Sequence, residues 1–225
     1  MVKFLLTNDD GIDAPGIAAL ERAIAGEKIT VAPKHQMSEC GHRFTVYQPI
    51  PVEQRSAIAY AVDGTPADCT RLGLTQFATD VDWVLSGVNA GGNLGVDIYT
   101  SGTVAAVREA TILGKRAIAF SHFVRRPLEI NWDLVTHWTA KIFAELSTRT
   151  LTEKHFWNVN FPHLTEALEP EMIFCDRSTD AMPVIYHKID NYYHYAGEYQ
   201  KRSCSPQTDV ETCFSGNIAI TQISI

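Results

Sequence analysis

The run Val2-Lys3-Phe4-Leu5-Leu6-Thr7-Asn8-Asp9-Asp10-Gly11-Ile12-Asp13-Ala14-Pro15-Gly16 decides the fold, because an apolar stretch stops at two adjacent carboxylates, a glycine and a helix-start signal. Lys3 to Thr7 reads as a short buried strand. Pro15 to Ala25 sets Ile17, Leu20 and Ile24 on one helical face, with Asp13 the expected N-cap and Pro15 in the first turn. Gly26 ends that helix and Lys28 to Pro33 is the next strand. The chain therefore opens on a βαβ unit, two parallel strands joined by a right-handed crossover. A strand running into Asp-Asp-Gly sets both acids at the C-terminal edge of a sheet, where open α/β sheets hold their ligands. Strand neighbours point to opposite faces. Asp9 and Asp10 thus share one ligand only if the chain is already turning, which Gly11 permits.

The alternation continues. Lys34 to Arg43 is a long polar loop, and extended segments are expected at Val46 to Val52 and Ala59 to Val62. A helix follows Gly64-Thr65-Pro66, then a strand from Val81 to Asn89, a glycine-rich loop from Ala90 to Gly102 and a helix from Thr103 to Leu113. Arg116 to Ser121 is a strand, Trp132 to Leu146 a helix and Trp157 to Pro162 a strand. After Pro170 short tyrosine-rich alternating runs take over, Val184 to Ile189 and Tyr192 to Tyr199, before a last strand within Gly216 to Ile223. The expectation is a doubly wound, mostly parallel, Rossmann-like α/β core over residues 1–169. A β-rich oligomerisation arm follows over 170–225, its final strand returning to the core.

Composition narrows the function. A chain of 225 residues, 45% hydrophobic, buries a core as one domain with or without an appendage. A formal charge of −7 argues against a nucleic-acid duplex or an anionic membrane as partner. Five scattered cysteines with no C-x-x-C suggest neither a zinc knuckle nor a disulfide scaffold. The first apolar stretch is too short for a secretory signal and no run matches a membrane span, so the expected compartment is the cytoplasm.

Three strand ends bring polar residues to one edge: Asp9-Asp10, the loop with Ser38, and Asn89. Two carboxylates this close repel unless a cation neutralises them. Two carboxylates with a hydroxyl and an amide oxygen suit Mg²⁺ or Mn²⁺, with Ca²⁺ fitting the same set, rather than zinc. An Asp-Asp turn that only caps a helix fits the spacing of the acids equally well. In Tyr99 to Glu109, Ser101 or Thr103 caps a helix whose first turn carries Gly102, so free N–H groups and the positive dipole end face the ligand edge as a phosphate cradle. Gly91-Gly92-Asn93-Leu94-Gly95 allows close backbone approach, with Asn93 a further donor. Taken singly each is also an ordinary turn or cap; a metal pair and a phosphate cradle on one edge point to phosphoester chemistry. A P-loop, a G-x-G-x-x-G dinucleotide turn and a nucleophile elbow are all lacking, and Asp-Asp-Gly-Ile is not the D-x-D of aspartyl-phosphate phosphatases. His42 in the Ser38 loop is a candidate proton donor to a leaving alkoxide. Arg108 and Lys115 read as solvated, and Trp83, Trp132, Trp138 and Trp157 as packing.

Four ordered blocks carry a resemblance: Leu5 to Gly16; Val31-Ala32-Pro33 leading to Ser38; Gly64 to Cys69; and Ser86 to Gly95 continuing into Tyr99 to Glu109. Asn158 to Pro162 and Thr208-Asp209-Val210 are weaker echoes. Together they resemble the SurE survival-protein family of metal-dependent nucleoside-monophosphate phosphatases. The resemblance implies a 5′-nucleotidase that releases inorganic phosphate from nucleoside 5′-monophosphates, with 3′-monophosphates a further class. It implies metal ligands Asp9, Asp10, Ser38 and Asn89, catalytic Asp9 and Asp10, and phosphate contacts Asn93, Ser101, Gly102 and Thr103. It also implies a homodimer or tetramer in which the C-terminal β arm reaches a second subunit. The chain departs from the pattern in Ser38-Glu39-Cys40-Gly41, where the family has Ser-Gly and a further serine close behind, and at Ala110, where it has glycine. The alternative reading is a nucleotide- or phosphate-binding module with little turnover because of the altered loop.

Overall fold

The computed structural model describes residues 2–125, 127–164 and 169–225. In chain order the elements are β1 (Lys3–Thr7), α1 (Pro15–Ala23), β2 (Glu27–Pro33), β3 (Val52–Ser56), β4 (Ala59–Val62), α2 (Pro66–Leu72) and β5 (Trp83–Asn89). There follow α3 (Gly102–Ile112), β6 (Arg116–His122), α4 (Trp132–Thr148), β7 (His155–Phe161), β8 (Met172–Phe174), β9 (Tyr186–Ile189), β10 (Tyr192–Tyr195), α5 (Asp209–Phe214) and β11 (Ile218–Ser224). Nine strands form one sheet in the order β3-β4-β2-β1-β5-β6-β7-β11-β8. From β4 to β7 every neighbouring pair is parallel; β3 on β4 and β11 on β7 are antiparallel.

The period-2 alternation of each strand divides the core between the two faces. Phe4, Leu6, Trp83, Leu85, Ile118, Phe120, Val159 and Phe161 pack with Leu20 of α1, Ile24 just past its end, and Val135, Trp138, Ile142 and Leu146 of α4. Leu5, Val84, Ala117, Ala119 and Phe156 face the other way, against Cys69 of α2 and Val104, Val107 and Ala110 of α3. This is the doubly wound α/β architecture expected, with helices on both faces. Two glycines let the layers close: a Cβ on Gly16 would sit 1.9 Å from the Val88 carbonyl oxygen, and one on Gly87 2.2 Å from that of Phe120.

Some boundaries differ from expectation. The N-cap of α1 is Ala14, with no side-chain cap, so Asp13 does not cap it. Pro15 enters with its φ already suited to the helix and has no N–H to satisfy. Residues 46–51 are not strand; pairing starts at Val52, and Thr45 is held by a side chain instead, its N–H donating to Asp68 Oδ1 at 2.8 Å. Residues 172–174 and 218–224 pair with each other in the main sheet, with α5 between them. The tyrosine-rich run is a separate two-stranded hairpin, β9 on β10. Among the described residues no helix is long and apolar enough to cross a membrane.

Candidate active site

The sheet order puts β2 on one side of β1 and β5 on the other, so the crossovers leaving β1 and arriving at β5 diverge. Such a switch point opens a crevice at the strands' C-terminal ends. The chain leaves β1 turning: Asn8 Nδ2 donates to the Gly11 carbonyl at 2.7 Å, and Gly11 takes φ +105°. Three contacts gather the neighbouring loops around the acids. Met37 N–H donates to the Asp9 carbonyl at 2.7 Å, Ile12 N–H to that of Pro33 at 2.8 Å, and Ala90 N–H to Asp10 Oδ2 at 3.0 Å. Ser38 and Asn89 thus stand one residue away from groups bonded to Asp9 and Asp10 respectively.

Asp9 is buried against the start of α3. Thr103 Oγ1 donates to its Oδ1 at 2.5 Å, and a Cβ on Gly102 would lie 2.8 Å from Asp9 Cβ and 3.0 Å from Oδ2. Burial pushes the Asp9 carboxyl up to about 6, the Thr103 bonds pulling it down and the neighbouring Asp10 charge raising it further. Burial raises Asp10 as well, against the Ala90 amide. Asn89 commits its NH₂ to the Gly91 carbonyl at 2.8 Å, and its carboxamide oxygen takes no hydrogen bond among the described residues. Ser38 is exposed, its hydroxyl accepting from Gln36 Nε2 at 2.9 Å. Among the described residues no three His, Cys, Asp or Glu gather as a metal cluster, so a cation here rests on two carboxylates and neutral oxygens.

Ser101 is the N-cap of α3, its hydroxyl oxygen accepting from Val104 N–H at 3.1 Å. The N–H groups of Gly102 and Thr103 lie in the first turn, where a helix supplies no internal acceptor. One N–H of the Asn93 NH₂ donates to Ser121 Oγ at 2.8 Å, which orients the amide and leaves its second N–H for a ligand. The backbone of Asn93 also anchors the glycine-rich loop. Its N–H donates to Asn160 Oδ1 at 2.8 Å, and its carbonyl accepts from Asn158 Nδ2 at 2.9 Å and Asn160 Nδ2 at 3.1 Å. Asp209 holds the far end, accepting from Gly95 N–H at 2.7 Å and Ser178 N–H at 2.8 Å. The weak Asn158 and Asp209 echoes in the sequence are these anchors; a buried asparagine pair within an apolar strand is the signal that marks them.

The Ser38 loop is pinned from two sides. Asp68, capping α2 in a box with Thr65, also accepts from Thr45 N–H and Thr45 Oγ1, each at 2.8 Å. Buried Glu109 of α3 meets His42 Nε2 at 2.8 Å through one oxygen and Arg71 Nε at 2.8 Å through the other. Arg71 in turn lies 3.9 Å over the Phe44 ring. One His42 ring nitrogen is therefore occupied by Glu109. Glu39 stands at φ +58°, a left-handed conformation that favours glycine. Arg108 and Lys115 are not solvated as expected. Arg108 donates to the Ile98 carbonyl at 2.9 Å and Lys115 to that of Val81 at 3.0 Å, both partly buried.

Residues 4–181 match the family model described as Survival protein SurE. A Synechocystis sp. protein named "Putative 5'-nucleotidase alr3139" is 55% identical over 225 residues, covering 100% of both chains. The 5′-nucleotidase SurE of Paramagnetospirillum magneticum is 37% identical over 99% of this chain and 89% of its own. A crystal structure of the SurE protein from Aquifex aeolicus superposes with a TM-score of 0.88 at 34% identity, covering 99% of this chain and 93% of that one.

Proposed function

The chain belongs to the SurE survival-protein family, and on that premise we propose that it is a metal-dependent 5′-nucleotidase, a phosphomonoesterase acting on nucleoside 5′-monophosphates and also on 3′-monophosphates. One observation carries the reading: the Asp9 carboxylate lies against the bare Cα of Gly102, joining the acid pair to a helix N-terminus that receives anions. A module kept only for binding has no need of a buried carboxylate in its phosphate cradle, where it repels the ligand unless a cation intervenes.

The donor set fits a hard divalent cation, Mg²⁺ or Mn²⁺. Asp9 and Asp10 are both raised, so each gains from a positive charge, and Asn89 keeps an uncommitted amide oxygen. Asp9, Asp10, Ser38 and Asn89 would hold it, and when bound it supplies a Lewis acid and a water of lowered pKa. The chain's own residues do the rest. Gly102 and Thr103 amides, with the Ser101 hydroxyl, receive the non-bridging oxygens as charge shifts during transfer. Thr103 keeps Asp9 oriented, and the Asn93 anchors keep the loop after β5 rigid. Asp9 or Asp10 orients and accepts a proton from the attacking water. We further propose a homo-oligomer. In the β9–β10 hairpin Tyr192 is 73% exposed and Tyr193 66%, more apolar surface than an isolated hairpin sustains in water. A second copy covering it solves this.

The test is release of inorganic phosphate from AMP, GMP and 3′-AMP with Mg²⁺, Mn²⁺ or excess EDTA. Metal-dependent release from the 5′-esters is expected. Nucleotide binding without release, under every metal, would instead establish the binding-module reading.

A further inference from the structure

We propose that the hollow lined by Ala90, Gly91, Gly92, Phe123 and Tyr199 is the subsite for the base of the nucleotide, with Tyr199 as its stacking platform. This rests on the nucleotidase reading above and adds to it the part of the molecule that distinguishes a nucleotide from a simpler phosphate ester.

The hollow, about 490 Å³, opens beside Asp10: Ala90, which lines it, is the residue whose N–H binds Asp10 Oδ2. Ala90 and Gly92 are two residues apart, at most about 7 Å of chain. A ribose joining a phosphate on the acid edge to a base in the hollow spans a comparable distance. The floor is bare backbone, since a Cβ on Gly92 would come within 3.1 Å of the Tyr199 hydroxyl and 3.7 Å of Phe123 Cα. Its aromatic side is a stack, Tyr199 on Phe123 at 6.1 Å and 25° and Phe214 on Phe123 at 4.7 Å. Exposed Glu198 and Gln200 line the rim and offer polar atoms to a base edge.

The platform is fixed before a ligand arrives. Tyr199 OH donates to Asp97 Oδ2 at 2.6 Å, and buried Arg202 donates to the same oxygen at 2.7 Å. A ring so held loses little freedom on stacking. A second hollow touches Asp10, about 390 Å³ and lined by Asp13, Lys34, Gln36 and Trp132. Its one aromatic ring already packs on α1, with Trp132 Cη2 3.3 Å from where a Gly16 Cβ would lie, and its lining is charged. An uncharged base fits the Tyr199 side.

The experiment compares kcat/KM for AMP and for ribose 5-phosphate, which lacks the base, in the full chain with Mn²⁺. The AMP-to-ribose-5-phosphate ratio is expected to fall about tenfold in Tyr199→Leu, the size of one base–aromatic stack, and to survive in Tyr199→Phe and Trp132→Leu. Gly92→Val fills the floor, its Cβ 3.1 Å from the Tyr199 hydroxyl, and is expected to lower the same ratio while keeping the ring in place, so the test stays decisive if Tyr199→Leu fails to fold. Adenosine should inhibit competitively, with a Ki that rises in step. A ratio unmoved in Gly92→Val and Tyr199→Leu, or one lost in Trp132→Leu, overturns the subsite and leaves the nucleotidase intact. A wild-type chain inert toward both esters overturns the parent reading and this one with it.

Discussion

Replacing Asp9 by asparagine should make the metal-free protein more stable while abolishing its turnover. The carboxyl is buried and its pKa rises from 3.8 to about 6, so ionising it opposes folding. A shift of roughly two pH units at 1.36 kcal/mol each sets a ceiling of about 3 kcal/mol on the penalty at neutral pH. Asparagine keeps an oxygen for the Thr103 hydroxyl and removes the charge. For a chain of this size each kcal/mol moves Tm by about 2–4 °C, so a rise of about 5–10 °C is expected. The sign is set by linkage. A native pKa above the unfolded one means the wild type loses stability as pH rises from about 4 to 6. The gap between the two proteins should therefore be near zero below pH 4, open through that window and be flat above it. Calorimetry of EDTA-treated samples across pH 3.5–8 measures this. Mn²⁺ at a thousandfold excess over Kd should reverse the order, adding about 4.1 kcal/mol to the wild type and little to the variant. A gap independent of pH, or a variant less stable throughout, would refute the account of Asp9 as a buried charge awaiting a cation.

Gly102→Val would drive a Cβ to 2.8 Å from Asp9 Cβ and 3.1 Å from Cys40 Sγ, so inhibition by inorganic phosphate and binding of Mn²⁺ should weaken together; unchanged phosphate inhibition dismisses the cradle. Glu39→Gly releases the left-handed conformation at φ +58° and should raise stability by about 0.5–1 kcal/mol, read as a small increase in Tm; a loss would show that Glu39 makes a compensating contact. Sedimentation equilibrium at micromolar concentration should return a multiple of 25.0 kDa, and a pure monomer would rule out the covered hairpin.

Much of the core was legible because it rests on local rules. The strand ending in Asp-Asp-Gly, the Pro15 helix start and the cap at Ser101 or Thr103 each follow from neighbours in sequence, whereas the strand order that makes the switch point does not. What was not legible depends on distant partners. Asp13 has the chemistry of a cap, but Pro15 makes Ala14 sufficient. Asn93 has the chemistry of a phosphate donor, but that Ser121, 28 residues away, takes one of its two amide hydrogens is not written locally. His42 and Glu109 are separated by 67 residues, and nothing local announces that they meet. Arg108 and Lys115 look solvated until the carbonyls beside them are known.

The seven residues of β11 lie between β7 and β8, not at a margin of the sheet. Until they arrive, β7 presents a bare row of amides and carbonyls on one side, and β8 has no partner at all. A ribosome emitting this chain thus makes six parallel strands that can begin to assemble, then more than fifty further residues, before the piece that seals their exposed flank. Nascent chains stalled before Ile218 should be sticky and chaperone-dependent through that open flank, and chains in which β11 has docked should not.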